Sequence, residues 1–369
     1  MSTPTTSTDR ALRQFLELVQ IDSPAFEEAA IAAFLERELK VLGVDAQNDR
    51  TGPDGVGNVI GRLHGTAPGT PIALVAHMDT VEPGRGIRPR VEQGVVRSSG
   101  TTILGADNKE AVAAILEALR ALRESGQAHG PVEVIFTWGE EKGHQGAKRL
   151  DLQRLRAEMA FVFDVDGPVG AIVNEAPTHV AMKGAFRGRA AHAGIDPERG
   201  INAIAAAATA VSRMRLGRLD DETTANVGLF RGGTARNVVP EEAVFEGEAR
   251  SLDEDKLRRQ VEAMRVAAES AAAEFGASLD FEVSRSYSGY RLSPEAPVVR
   301  RAEKAVARAG LEPVLIRTGG GSDANTLNER GLETANLGTG MRDLHSTRES
   351  VDVADLGRLA QVILAIIVG

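Results

Sequence analysis

The chain has no cysteine among its 369 residues. Disulfides, thiolate metal sites and a cysteine nucleophile are therefore excluded, and any metal must sit on His, Asp and Glu. It also lacks a run of Lys and Arg, and its formal net charge is -9. That balance argues for solubility and against a nucleic-acid partner. Long apolar runs are missing too. The most apolar segment, residues 359–369, is about half the length that spans a bilayer. Asp352 and Asp355 precede it, charges suited to a helix N-terminal turn, so it reads as a buried C-terminal helix. Residues 1–9 are polar and rich in Ser and Thr, without the basic and apolar regions of a signal peptide. The expectation is a soluble, cytoplasmic protein with no membrane partner. No internal repeat or low-complexity tract is visible.

What is there suits two domains: the chain is too long for one ordinary domain, and 42% of it is apolar. Residues 11–19 and 27–42 carry apolar side chains at helical spacing. Short apolar runs at 71–76 (PIALVA), 132–137 (VEVIFT) and 160–163 (AFVF) predict strands buried on both faces. The Ala/Leu-rich stretch 108–125 predicts a helix with Asn108 as its N-cap. This alternation implies right-handed crossovers and a mainly parallel sheet with helices on both faces. From about residue 174 to 287 the texture changes. Strands at 180–188, 225–230, 243–249 and 279–285, with helices near 201–214 and 254–275, suggest an antiparallel sheet with helices on one face. After Gly289 the first pattern resumes with a helix at 296–309, a strand at 314–317, a glycine-rich loop and the final helix. The expected organisation is an α/β catalytic domain, 1–173 and 288–369, interrupted by a smaller α+β lid or dimerisation domain, 174–287.

Sites in open α/β sheets form beyond the carboxyl ends of strands, and acidic and His residues cluster at those places. His77 and Asp79 follow PIALVA in the string AHMDTV, two apart and so on one side of an extended segment. His77 suits a metal, with Asp79 orienting the imidazole. Asp107, in LGADNKEA, stands at the mouth of a helix, where a cap is the plainer reading. Glu140 and Glu141, in FTWGEEKG, follow VEVIFT. One can bind metal while its neighbour takes a proton from water, the division that metal-assisted amide hydrolysis needs. Asp166, in FDVDGPVG, follows AFVF, and His345, in DLHSTRES, follows a glycine-rich loop. Two His and three carboxylates, one bridging, make the ligand set of a paired-ion hydrolase, most often with zinc.

In AHMDTV, GADNKEA, the GEE after a strand and the late HS segment, the sequence resembles the co-catalytic zinc hydrolases that include peptidase T, the glutamate carboxypeptidases and the aminoacylases. The resemblance runs from about Phe15 to the C-terminus. DGPVG and RAAHAG look closest to the peptidase T branch. It implies that Asp107 bridges two ions, that His77 and Asp166 complete one metal site, and that Glu141 and His345 complete the other. Asp79 would orient His77 and Glu140 would be the general base. Asp164, two residues from Asp166, is kept as the rival ligand. The family often has Asp or Pro where Trp138 and Gly139 precede the glutamates here, a departure that touches packing.

The resemblance also implies that His192, in GRAAHAGIDPERGINA, reaches across a homodimer to polarise the scissile carbonyl. Asn237, in TARNVVP, and Arg250, in GEARS, match substrate contacts. The loop with Gly320 and Gly321, in RTGGGSDAN, offers backbone N–H groups for a terminal carboxylate, or is only a turn before a helix capped by Ser322. His64, His129, His144 and His179 match nothing and read as surface or local structural residues. The expected function is hydrolysis of a short peptide, as an aminopeptidase on tripeptides or similar substrates, with two divalent ions per subunit. Zinc comes first, and cobalt or manganese also suit the ligands. The rival readings are a carboxypeptidase or N-acyl amino acid amidohydrolase on the same scaffold and, more remotely, a non-catalytic binding protein.

Overall fold

A computed structural model describes residues 5–369. The first four residues of the polar start lie outside the described residues. The chain divides into two compact units, one running up to Glu175 and resuming over Arg291–Gly369, the other Ala176–Tyr290. The expected boundaries, at 173 and 287, fall a few residues earlier.

The larger unit is built on a mixed, mainly parallel sheet. Its order from one edge is Asp45–Asn48, Val59–Leu63, Val132–Thr137, Ile72–His77, Met159–Val165, Glu333–Gly338 and Ala171–Ala176, with Val314–Arg317 pairing the last. The central neighbours, from Val132–Thr137 to Glu333–Gly338, run parallel, while Val59–Leu63 and Ala171–Ala176 join antiparallel. Every residue of Ile72–His77 and Val132–Thr137 is buried. That is why their sequences are continuous apolar runs: helices cover both faces and neither has a polar side. The helix Ala106–Ser125 is buried almost throughout, and the final helix, Val353–Val368, packs along it. Among the described residues no helix is long and apolar enough to cross a membrane.

Asn108 is not the cap that its position suggests. The helix is assigned from Ala106, with Asp107 and Asn108 at non-helical angles and no side-chain cap bond. A small three-stranded sheet pairs Ser350–Asp352 with Val95–Ser98 and that strand with Pro89–Glu92, all antiparallel. It brings the segment just after His345 to the ribbon that leads toward Asp107.

The second unit is an antiparallel sheet in the order Gly217–Arg218, Thr223–Gly232, Glu242–Ser251, Thr178–Arg187, Ser278–Tyr287. Burial alternates along Thr178–Arg187, so one face is covered and the other is not. The covering layer is the helices Ala203–Arg213 and Glu254–Phe275, packed with Phe186 and Phe245 into one core. Asn202 and Asp253 cap these helices, accepting bonds from Ala205 N at 2.9 Å and Lys256 N at 2.8 Å.

Candidate metal centre

Three adjacent parallel strands deliver the first components. His77 ends the strand Ile72–His77, aligned with Thr137 of Val132–Thr137, and Asp164 lies near the end of Met159–Val165. Beyond Thr137 the chain turns sharply. Gly139 has φ 58, the left-handed region, and a Cβ there would meet the Gln145 side chain at 3.2 Å. The 3-10 turn Glu140–Lys142 follows at once, so both glutamates start from one tight bend. Trp138, before the bend, is 2% exposed, donates from Nε1 to Thr51 Oγ1 at 3.2 Å and packs beside Phe26.

Asp79 holds this bend. Its Oδ1 accepts the Glu140 N–H at 2.9 Å and its Oδ2 the Glu141 N–H at 3.1 Å. Its carbonyl oxygen lies 3.0 Å from His77 Nδ1, and its carboxylate lies 3.4 Å away. A proton on Nδ1 satisfies that carbonyl, so Nε2 is the nitrogen a bound ion would take. Nε2 meets Asp107 Oδ1 at 3.0 Å and Asp164 Oδ1 at 3.7 Å. On the other side of Asp107, His345 Nε2 lies 3.2 Å from its Oδ2 and 3.0 Å from Glu141 Oε1. Asp107 thus faces an imidazole with each oxygen.

Donor atoms of His77, Asp107 and Asp164 lie within 4.8 Å of one another, as do those of Asp107, Glu141 and His345, and those of His77, Glu140 and Glu141. Asp166 joins no such group and is exposed. The donor group thus includes the rival, Asp164, and not the expected Asp166. The two part for a local reason: the strand ends at Val165, and Asp166 lies in the bend before Gly167, whose φ is 110. Asp164 is held by Asn336 of the neighbouring strand, which accepts its N–H at 2.9 Å and donates to its carbonyl at 2.8 Å.

Electrostatics test whether this donor set fits divalent ions. Burial raises the pKa of Glu140, Glu141 and Asp164, and neighbouring carboxylates push the same way. Asp107 resists its burial through hydrogen bonds to His345 and His77, which hold its pKa below the ordinary range. His77 is disfavoured as a cation by burial, yet its bonds to Asp107 and Asp164 raise its pKa overall. His345 is raised to about 10 by Asp107 and then Glu141. The converging carboxylates therefore outnumber the imidazoles that face them. Divalent cations suit that imbalance, and oxygen and imidazole donors without sulfur suit zinc, cobalt or manganese. The residues fit the ions that the resemblance implies.

Three further buried residues surround the centre: Glu28 and Glu349, and His144, which the sequence offers only as a surface or local structural residue. Glu349 accepts the N–H groups of Leu104 at 2.7 Å, Gly105 at 2.8 Å and Asp107 at 2.9 Å. Glu28 accepts the Gly139 N–H at 2.8 Å. His144 lies 3.2 Å from Glu140 Oε1. Only Glu349 gave a signal, an acidic residue four places after His345 in HSTRES. The partners of Glu28 and Glu349 are more than a hundred residues away, and spacing does not reveal them.

The remaining expected residues sit elsewhere. His192 and Asn237 lie together in the second unit, where the Ala193 N–H donates to the Asn237 carbonyl at 3.0 Å and both side chains are exposed. Arg250 is clamped by Glu248, at 3.2 Å through Nε and 3.1 Å through Nη2. Gly320 and Gly321 lead into the helix Asp323–Glu329, capped by Ser322, which accepts from Ala324 N at 3.2 Å. Ser322 therefore caps the helix that follows that loop.

The model of peptidase family M20/M25/M40 matches residues 73–368, a span that includes every member of the donor groups. The chain belongs to this peptidase family. It is 44% identical over 361 residues to the uncharacterized protein YqjE of Bacillus subtilis, covering 97% of both chains. Among solved structures it is similar to the aminopeptidase PepT from Bacillus cereus, at 42% identity, 98% coverage of each chain and a TM-score of 0.88. It is likewise similar to a tripeptidase from Staphylococcus aureus, at 38% identity, 98% coverage of each and a TM-score of 0.93. These M20 likenesses support the peptidase T-like branch and make the chain an enzyme rather than a binding protein.

Proposed function

We propose that the chain hydrolyses a peptide bond in short peptides, as an aminopeptidase acting on tripeptides or similar substrates. The observation that carries this reading is the pair of donor triads that share Asp107. His77, Asp107 and Asp164 would hold one divalent ion, and Asp107, Glu141 and His345 the other, zinc being the first candidate. When bound, such ions supply a Lewis acid for the scissile carbonyl and lower the pKa of the attacking water.

The chain's own residues do the rest. Glu140 is not needed for either triad, and burial raises its pKa. A raised carboxylate pKa suits a group that takes a proton near neutrality and gives it back. Glu140 would accept the proton of the attacking water and pass it to the leaving amine. Asp79 fixes His77 and the Glu140–Glu141 backbone together, so base and ligand keep their relative positions. His192 would polarise the carbonyl, from the partner chain of a homodimer. Asn237, Arg250 and the Gly320 and Gly321 backbone would bind the rest of the substrate. A cytoplasmic setting agrees with the absence of cysteine and with short peptides as substrates.

The amino-end preference draws support from the relatives described as an aminopeptidase and a tripeptidase. It is tested with the metal-reconstituted protein on free tripeptides, N-acetylated tripeptides and N-acyl amino acids. Free tripeptides should be cleaved and the blocked ones left. Comparable cleavage of N-acetylated substrates would move the reading to the carboxypeptidase or amidohydrolase alternative.

A further inference from the structure

His144 occupies an unusual position for a residue with no assigned role. It is 4% exposed, and its backbone is left-handed at φ 56, a region that non-glycine residues visit sparingly. The turn Glu140–Lys142 and Gly143, also left-handed at φ 92, fold the chain back, and the His144 N–H donates to the Glu140 carbonyl at 2.8 Å. The imidazole thereby comes against the Glu140 side chain. Its Nε2 is 3.2 Å from Glu140 Oε1, and its Nδ1 is 3.0 Å from Thr326 Oγ1. A neutral ring satisfies both contacts, with Nε2–H donating to the carboxylate and Nδ1 accepting the threonine hydroxyl. Thr326 is itself buried, on the helix Asp323–Glu329. The ring is therefore pinned from behind while it holds the glutamate in front.

We propose that His144 is the positioning residue of the general base, fixing one oxygen of Glu140 so that the other is presented for proton transfer. The inference rests on the reading of Glu140 as the base. A buried His satisfied by any two partners would be merely structural. Here one of the two is an oxygen of the residue that must move the proton. A carboxylate left to rotate would spend part of its time misaligned, which lowers the rate without changing how substrate binds.

The test uses two amides of different reach in the metal-loaded, full-length protein. An Asn amide ends near the place of imidazole Nδ1, suits the left-handed backbone and falls short of Glu140. A Gln amide reaches the place of Nε2. His144→Asn should lower kcat by about tenfold or more, the worth of one hydrogen bond to a charged group, with KM, metal content and Tm little changed. His144→Gln should recover most of the loss. Glu140→Ala, measured alongside, tests the underlying reading. If it leaves kcat intact, Glu140 is not the base, whatever His144 does. Given a deficient Glu140→Ala, adding His144→Asn to it should cost nothing further, because the group being positioned is gone. An equal cost in both backgrounds would overturn the proposal. So would a kcat in His144→Asn equal to wild type, or a loss of bound metal that accounts for the whole effect.

Discussion

Glu140 and Glu141 leave the same turn, yet their side chains meet different groups. Glu141 Oε1 lies 3.0 Å from His345, and Glu140 Oε1 lies 3.2 Å from His144. The Asp79 carboxylate, bonded to both backbone N–H groups, makes that division rigid. A similar separation applies to Asp164 and Asp166, one against His77 and the other exposed. Asp164→Asn should therefore bind less than the full complement of ions and lose most activity, while Asp166→Asn keeps both. Metal analysis by mass spectrometry on the two variants decides it, and equal metal loss in both would return Asp166 to the ligand set. Most of this site was legible because ligands cluster at strand ends. Between Asp164 and Asp166 the string FDVDG does not show where the strand stops, which is at Val165. His144 reads as a surface or local structural residue because a left-handed backbone at a histidine leaves no mark in the string GEEKGHQGAK, and its burial against Glu140 does not show there.

The elements differ in how plainly they announce themselves. Val132–Thr137 and the helix Glu254–Phe275 have the bounds expected from their patterns. Glu333–Gly338 was not anticipated. Its sequence, ETANLG, contains little that favours strands, yet it lies between two other strands with all but its first residue buried. Burial and pairing override propensity there, and Asn336 is needed to hold Asp164. The small sheet of Ser350–Asp352 was equally silent, its strands being only three or four residues long. Its consequence is large, because it brings Glu349 to the loop before the helix Ala106–Ser125. Three N–H groups converge on that carboxylate, so the Asp107 and His345 segments are tied at one point. Glu349→Gln removes an acceptor oxygen while keeping the shape. Metal affinity should fall by about 10–100-fold, as when the groups that orient ligands are lost, with the fold retained. Chelator competition measures this. An unchanged affinity would mean that the loop holds its position without Glu349.

At the scale of the whole molecule, the residues proposed to act are divided between units. Every residue of the donor groups lies in the larger one, and His192, Asn237 and Arg250 lie in the smaller. The change of texture near residue 174 exposed that division in the sequence, because continuous apolar runs give way to alternating strands. In the homodimer reading, each chain lends its His192 to the other's site. Glu140→Ala and His192→Ala should then be nearly inactive alone, and refolding them together should restore part of the activity. A verified mixed dimer that stays inactive would count against exchange of His192. Activity in this reading depends on metal. Its most direct measurement is a titration of zinc into chelator-stripped protein, following bound ion per chain and tripeptide hydrolysis together. The account predicts that activity returns with the ions and is complete when two are bound per chain. Full activity in stripped protein with no ion bound would contradict it.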